Sequence, residues 1–201
     1  MRKKIYICLL LLVASLVLSG CALRTVEELY CLPKRSQSEN DLQSVIDNAM
    51  KGLTDIIIPN SVTYLGDSVF YDCESMESVT IGDGLTHIEW QTFAWCKSLK
   101  KVTLGSNLTT IGQYAFSFCG LLNEIEFAEK ITVIENNAFD SCESLSTLEL
   151  PDSIITIGAS AFNKCTSLEN IAFGKNVTSV GEGAFSGCTS LKNIDFGTND
   201  L

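Results

Sequence analysis

One spacing governs this chain. Phe70, Phe93, Phe116, Phe139, Phe162 and Phe185 stand 23 residues apart, and so do Cys73, Cys96, Cys119, Cys142, Cys165 and Cys188. No insertion breaks the register over six units, which begin at Val62, Leu85, Leu108, Ile131, Ile154 and Val177. A fixed period of this length is the signature of a solenoid, in which each unit stacks on the next. One unit alone cannot bury enough apolar surface to offset the ordering of its backbone, so stacking must supply the difference.

Further columns refine the picture. Leu65, Ile88, Ile111, Ile134, Ile157 and Val180 form one; Met76, Leu99, Leu122, Leu145, Leu168 and Leu191 form another. Val79, Val102, Ile125, Leu148, Ile171 and Ile194 alternate with Ile81, Leu104, Phe127, Leu150, Phe173 and Phe196 across one variable residue. That alternation predicts a short strand with one buried face. The closer apolar spacing of Ala-Phe-x-x-Cys predicts a short helical turn. The Thr-x-Ile-Gly segment, as at Thr109 to Gly112, predicts a second extended stretch, with its glycine column (Gly66, Gly112, Gly158, Gly181) supplying a turn, although Glu89 and Glu135 occupy that column in the other units. Leu42, Val45, Ile46 and Met50 have helical spacing after Asp41, a suitable N-cap. Leu53, Ile56 and Ile58 then match the strand columns, and Pro59 ends them. The expected fold is an α/β-type solenoid of short parallel strands and 23-residue repeats over 62–199, with an N-terminal helical cap over 39–61.

These columns resemble the BspA-type leucine-rich repeat, whose pattern is close to Leu-x-x-Ile-x-Ile-Pro-x-x-Val-Thr-x-Ile-Gly-x-x-Ala-Phe-x-x-Cys. Residues Leu145 to Cys165 match it almost throughout, including Pro151 and Ser153, and the likeness spans about 42–199. In the proline column only Pro59 and Pro151 conform, with Gly or Ala elsewhere. The resemblance implies a right-handed superhelix with a parallel sheet on its concave side. It also implies a surface-exposed bacterial protein that binds extracellular-matrix or cell-surface proteins.

The first twenty residues read as an address. Arg2, Lys3 and Lys4 precede an apolar run from Ile5 to Val17, the length of a signal peptide and short for a membrane span. Leu18-Ser19-Gly20-Cys21 follows and resembles the bacterial lipobox. That resemblance implies cleavage before Cys21, lipidation of its thiol and a lipid-anchored place in the bacterial cell envelope. Each buried CH₂ of such an anchor contributes about 0.8 kcal/mol. Residues 21–38, with Pro33, Lys34, Arg35 and little periodicity, read as an acylated tether; its Cys31 is either a thiol or an intermolecular disulfide partner.

Charge narrows the partners. Without the signal segment the chain carries 11 basic and 24 acidic residues, a net charge near −13. That sign excludes nucleic acid. The six repeat cysteines form a column rather than clustered pairs, so they read as buried thiols acting as small hydrophobes, not as metal ligands. His87, the single histidine, sits in a variable column with no periodic Ser or Asp partner. Gly181-Glu182-Gly183 and Gly187 belong to repeat columns and precede no long helix that would hold phosphate. The serines at 75, 98, 144, 167 and 190 read as ladder or turn hydrogen-bonders. No catalytic residue, metal or cofactor is expected.

Two surfaces remain as candidates. On the outward strand columns Glu124, Glu126 and Glu149 make an acidic middle, which otherwise reads as a solvated face. Tyr64, Tyr71, Trp90, Trp95, Tyr114 and Phe118 fill variable columns of units one to three, and later units have no aromatic there. Exposed Trp and Tyr are typical binding hot spots; covering the edge of the core is the alternative. The chain thus reads as an adhesion or protein-binding module, or as an envelope spacer without a ligand. Phe185, Leu191, Ile194 and Phe196 should lie open on the last coil, through end-to-end pairing or because the sequence is part of a longer protein.

Overall fold

The computed structural model describes residues 54–197. The signal segment, Cys21, the tether with Cys31 and the helical part of the expected cap lie outside the described residues. Each coil makes a first strand and a turn, and each coil from the second onward adds a second strand. The first strands are β1 (Asp55–Ile58), β2 (Ser78–Ile81), β4 (Lys101–Thr103), β6 (Glu124–Glu126), β8 (Thr147–Glu149), β10 (Asn170–Ala172) and β12 (Asn193–Asp195). The second strands are β3 (His87–Ile88), β5 (Thr110–Ile111), β7 (Val133–Ile134), β9 (Thr156–Ile157) and β11 (Ser179–Val180). All pairing is parallel and holds the 23-residue register, as in Asp55↔Ser78 and Ile111↔Ile134. The second strands form one continuous sheet, β3-β5-β7-β9-β11, whereas the first strands form two sheets, β1-β2-β4-β6 and β8-β10-β12.

The repeated columns are the core. Leu108, Ile111, Phe116, Cys119, Leu122 and their equivalents in the central coils are completely buried. The phenylalanine column is a stack of near-parallel rings with centroids 5.1–5.4 Å apart and interplanar angles of 1–8°. Phe127 and Phe173 meet Phe139 and Phe185 edge-on at 5.9 and 5.7 Å. Such pairs add about 0.5–1.5 kcal/mol each beyond buried area. On the last described coil Ile194 and Phe196 are exposed.

Two local expectations need correction. The described residues contain no helix, so the α component expected of the repeats is absent from them. Ala-Phe-x-x-Cys is a run of successive turns, with Tyr71 N–H donating to Ser68 O at 3.2 Å and Met76 N–H to Cys73 O at 3.1 Å. Each run holds two left-handed residues, Ser68 and Asp72 in unit one with φ of 55° and 56°. A right-handed helix requires negative φ throughout, so it cannot form there. The apolar spacing is the same for both, which is why the pattern misleads. The turns also form an inter-coil ladder of their own: Ser68, Phe70 and Asp72 donate N–H bonds of 2.8–2.9 Å to Trp90, Thr92 and Ala94.

The glycine column after the second strand does not supply the left-handed turn. A Cβ at Gly112, Gly158 or Gly181 would meet backbone of the preceding coil at under 3 Å, whereas Glu89 and Glu135 carry one in the same column. Gly105 and Gly174, at the far end of the first strand, press against the carbonyls of Gly82 and Pro151 in the same way. Gly120, in contrast, faces open space. Gly105→Ala should therefore lower unfolding free energy by about 1–3 kcal/mol, the cost of overpacking. Gly120→Ala should leave it unchanged or raise it by about 0.4–1 kcal/mol through the unfolded chain. Urea unfolding of the two variants followed by circular dichroism checks the contrast.

Candidate binding surface

The turn ladder sets the geometry of the aromatic surface. Two backbone columns are left-handed in every full unit. One holds Ser68, Gln91, Tyr114, Asn137, Ser160 and Gly183; the other holds Asp72, Trp95, Phe118, Ser141, Lys164 and Gly187. Left-handed backbone favours Gly and Asn, and it costs other residues about 1–2 kcal/mol each. Trp95 (φ 64°), Phe118 (φ 61°) and Tyr114 (φ 58°) are thus bulky aromatics at strained positions. Coil stacking imposes the conformation. Trp95 N–H donates to Ser117 O and Phe118 N–H to Asp140 O, both at 2.8 Å, and Tyr114 N–H to Asn136 O at 3.1 Å.

Trp95 and Phe118 occupy the same column one coil apart, so their rings stack, with centroids 4.3 Å apart and planes at 17°. Trp95 is half-buried and Phe118 is 37% exposed. Beside them Lys97 places its Nζ 5.9 Å from the Trp95 ring centre while bonding Glu74 at 2.8 Å, with Asp72 at 3.9 Å. The Glu74 carboxylate holds the Lys97 ammonium above its ordinary range, first through that hydrogen bond and then through charge. Tyr71 and Trp90 are exposed at 37% and 46% on the same turn runs. Tyr64 and Tyr114 are half-buried.

The acidic candidates lie elsewhere. Glu124 and Glu126 are exposed on β6 and Glu149 on β8, on the first-strand side. The nine candidate residues therefore lie on two surfaces. Lys101 on β4 bonds Glu124 at 2.8 Å across the paired strands, so the acidic middle is reduced to Glu126 and Glu149. His87 is exposed, its Nδ1 2.8 Å from Thr86 Oγ1. Among the described residues no group of three His, Cys, Asp or Glu is arranged to hold a metal ion. Every buried side-chain polar atom among them has a hydrogen-bond partner. The left-handed columns were not read from sequence, although Gly183, Gly187 and Asn137 in those columns carry the signal.

The cysteine column is part of the core. The repeat cysteines form no disulfide among the described residues. Each thiol from Cys96 onward donates to a carbonyl 26 residues earlier, Cys119 to Phe93 O at 3.2 Å and Cys142 to Phe116 O at 3.2 Å. The Cys119 thiol, followed by burial, pushes Cys96 well up, and burial leads the upward shift of Cys119, Cys142 and Cys165. These thiols resist forming the reactive thiolate.

The profile of the BspA-type leucine-rich repeat region matches the chain in six copies, over residues 47–165 and 109–200. The chain belongs to the BspA-type leucine-rich repeat family. Its fold is similar to that of a leucine-rich repeat protein of T. pallidum, with 28% identity and TM-score 0.67 over 71% of this chain and 69% of that one. A leucine-rich repeat protein of Bacteroides ovatus is 39% identical with TM-score 0.67, over 71% of this chain and 37% of that one. A leucine-rich cell surface protein of Faecalibacterium prausnitzii is 30% identical with TM-score 0.60, over 71% of this chain and 47% of that one. Comparison with curated proteins by sequence gave no match. Repeat solenoids of this family are typically protein-binding scaffolds rather than enzymes.

Under native conditions, iodoacetamide should label the half-buried Cys188 first among these six BspA-type thiols and spare the fully buried Cys119 and Cys142 until unfolding. Peptide mass spectrometry over a labelling time course checks the order; equal labelling of all six would contradict it.

Proposed function

We propose that this chain is a lipid-anchored bacterial surface protein that binds other proteins through the aromatic face of its turn ladder. The observation that carries the reading is the choice of Trp95, Tyr114 and Phe118 for backbone positions where they are strained. Strain of this kind persists where the surrounding structure over-determines it and where the side chain serves a function. Aromatic rings on a rigid surface bind at low entropic cost, which suits Trp95 with Phe118 as the centre of a contact and Tyr71 and Trp90 beside it. The partner is a protein of the extracellular matrix or of a neighbouring cell surface; the surface location of this chain is in keeping with the F. prausnitzii relative, a leucine-rich cell surface protein. The acidic residues Glu124, Glu126 and Glu149 offer a second contact on the strand side. No catalysis, metal or cofactor enters this reading.

The rest of the proposed architecture follows the sequence. Residues 1–20 are a signal segment, Cys21 carries the lipid, 21–38 tether the repeats, and a helical cap closes a right-handed superhelix. Cys21→Ser should move the protein from the detergent phase to the aqueous phase on Triton X-114 partition. Retention in the detergent phase would sink the anchor.

The double variant Trp95→Gly/Phe118→Gly tests the binding face. Loss of the ring pair costs about 0.5–1.5 kcal/mol, and relief of two left-handed side chains returns about 1–2 kcal/mol each. Stability should therefore equal or exceed that of the parent chain, while binding to immobilised matrix and cell-surface proteins falls at least about tenfold, as for hot-spot loss. Unchanged binding by the folded variant would reject the aromatic face. A flat response of the parent chain across the panel would favour a spacer without a ligand.

A further inference from the structure

Among the described residues the first-strand side is divided at one junction only. β6 pairs with β4 and β8 pairs with β10, but β6 and β8 do not pair. The second sheet runs unbroken through the same junction, with Thr110 opposite Val133 and Glu135 N–H on Ile111 O at 2.9 Å. The turn ladder is also continuous there, with Phe116 N–H on Ala138 O and Phe118 N–H on Asp140 O, both at 2.8 Å. Coils three and four are thus joined along two of their three sides.

Residue identities account for the missing third. At the first junction Gly82 N–H donates to Ile58 O at 2.8 Å. The equivalent residue in coil four, Pro151, has no N–H to donate, although Gly105 and Gly174 do not make this bond at the paired junctions either. In the repeating register Glu126 would stand directly opposite Glu149. Like charges directly opposite one another destabilise a strand pair. At the paired junctions that column reads Thr80 beside Thr103, and Ala172 beside Asp195. Ile125 and Phe127, the core columns of β6, are only partly buried, whereas Val102 and Leu148 of the neighbouring strands are buried. The donors that would cross the junction follow from the offsets seen elsewhere, Ser78 N–H to Thr54 O and Leu150 N–H to Ala172 O. By those offsets Ile125, Phe127, Thr147 and Glu149 are the amides left without an inter-strand acceptor.

We propose that this junction is a hinge. Coils one to three and coils four to six rock about the continuous second sheet and turn ladder, and the strand side between β6 and β8 widens and narrows. The Glu126–Glu149 opposition keeps it from locking shut. The hinge lets one rigid repeat surface change its curvature without breaking the core columns.

Amide hydrogen exchange with mass spectrometry on the full mature chain, parent and Pro151→Gly/Glu126→Thr, tests this. In the parent, amides of Phe127, Thr147 and Glu149 should exchange at least a hundredfold faster than those of Lys101 and Glu124, which donate to Glu77 O and Lys100 O. In the double variant the junction amides should slow at least tenfold as the halves close. Slow exchange at the junction in the parent would overturn the hinge. So would unchanged fast exchange in a folded variant, which would mark a fixed gap. Should the variant not fold, a Glu126→Cys/Glu149→Cys pair under mild oxidation gives the same decision. A bridge across the junction supports closure, and its absence, while Thr80→Cys/Thr103→Cys bridges β2 and β4, refutes it.

Discussion

The constraint on which everything else depends is that each coil must present the same atoms to the next, 23 residues on. Backbone ladders on three sides and side-chain columns inside all use this one register. A phenylalanine ring stacks on a phenylalanine ring because its neighbour stands at the same height on the next coil. A cysteine thiol reaches a carbonyl one coil back because that carbonyl always stands in the same place. The surface follows the same rule. Lys97, Lys100, Lys175 and Lys192 bond Glu74, Glu77, Asp152 and Glu169, each one period earlier. Those pairs are exposed and individually weak; their contribution is agreement with the register rather than energy.

Much of this was legible in the sequence, because burial in a repeat is periodic and therefore visible. The Leu, Ile and Phe columns and both strands per coil fall where the apolar alternation puts them. What was not legible depends on backbone conformation that different residues share. Asp72, Trp95, Phe118, Ser141, Lys164 and Gly187 have little in common as side chains, yet all are left-handed. A column so varied reads as unconstrained. The apolar spacing around it then reads as a helical turn, since Phe70, Cys73 and Met76 would share one helical face as well. The glycine columns misled differently. Their signal was read as conformational freedom, whereas Gly112 and Gly174 are held by close approach to the preceding coil.

The candidate residues fall on two sides of the coil. A flat sequence shows an acidic middle and an aromatic set within the same units. The fold sends Glu124, Glu126 and Glu149 to the strand side and Trp95 and Phe118 to the turn ladder. Lys101 then neutralises Glu124, a pairing visible only when β4 and β6 lie side by side. The family's fold thus leaves variable positions on otherwise fixed coils, and the strained columns are where that freedom is used for aromatic side chains. The break between β6 and β8 shows the converse. One ladder is interrupted where Glu126 would face Glu149, while the other two hold.

The most direct test of the register is excision. Deleting residues 154–176 removes one complete period and joins Ser153 to Val177, so the following columns return to place. Deleting 155–176 removes one residue fewer and shifts every later column by one position. Urea unfolding followed by circular dichroism should show a cooperative transition, with reduced midpoint, for the full-period deletion. The shorter deletion should lose cooperative structure in the coils after the cut. Equal stability of the two chains would contradict the account.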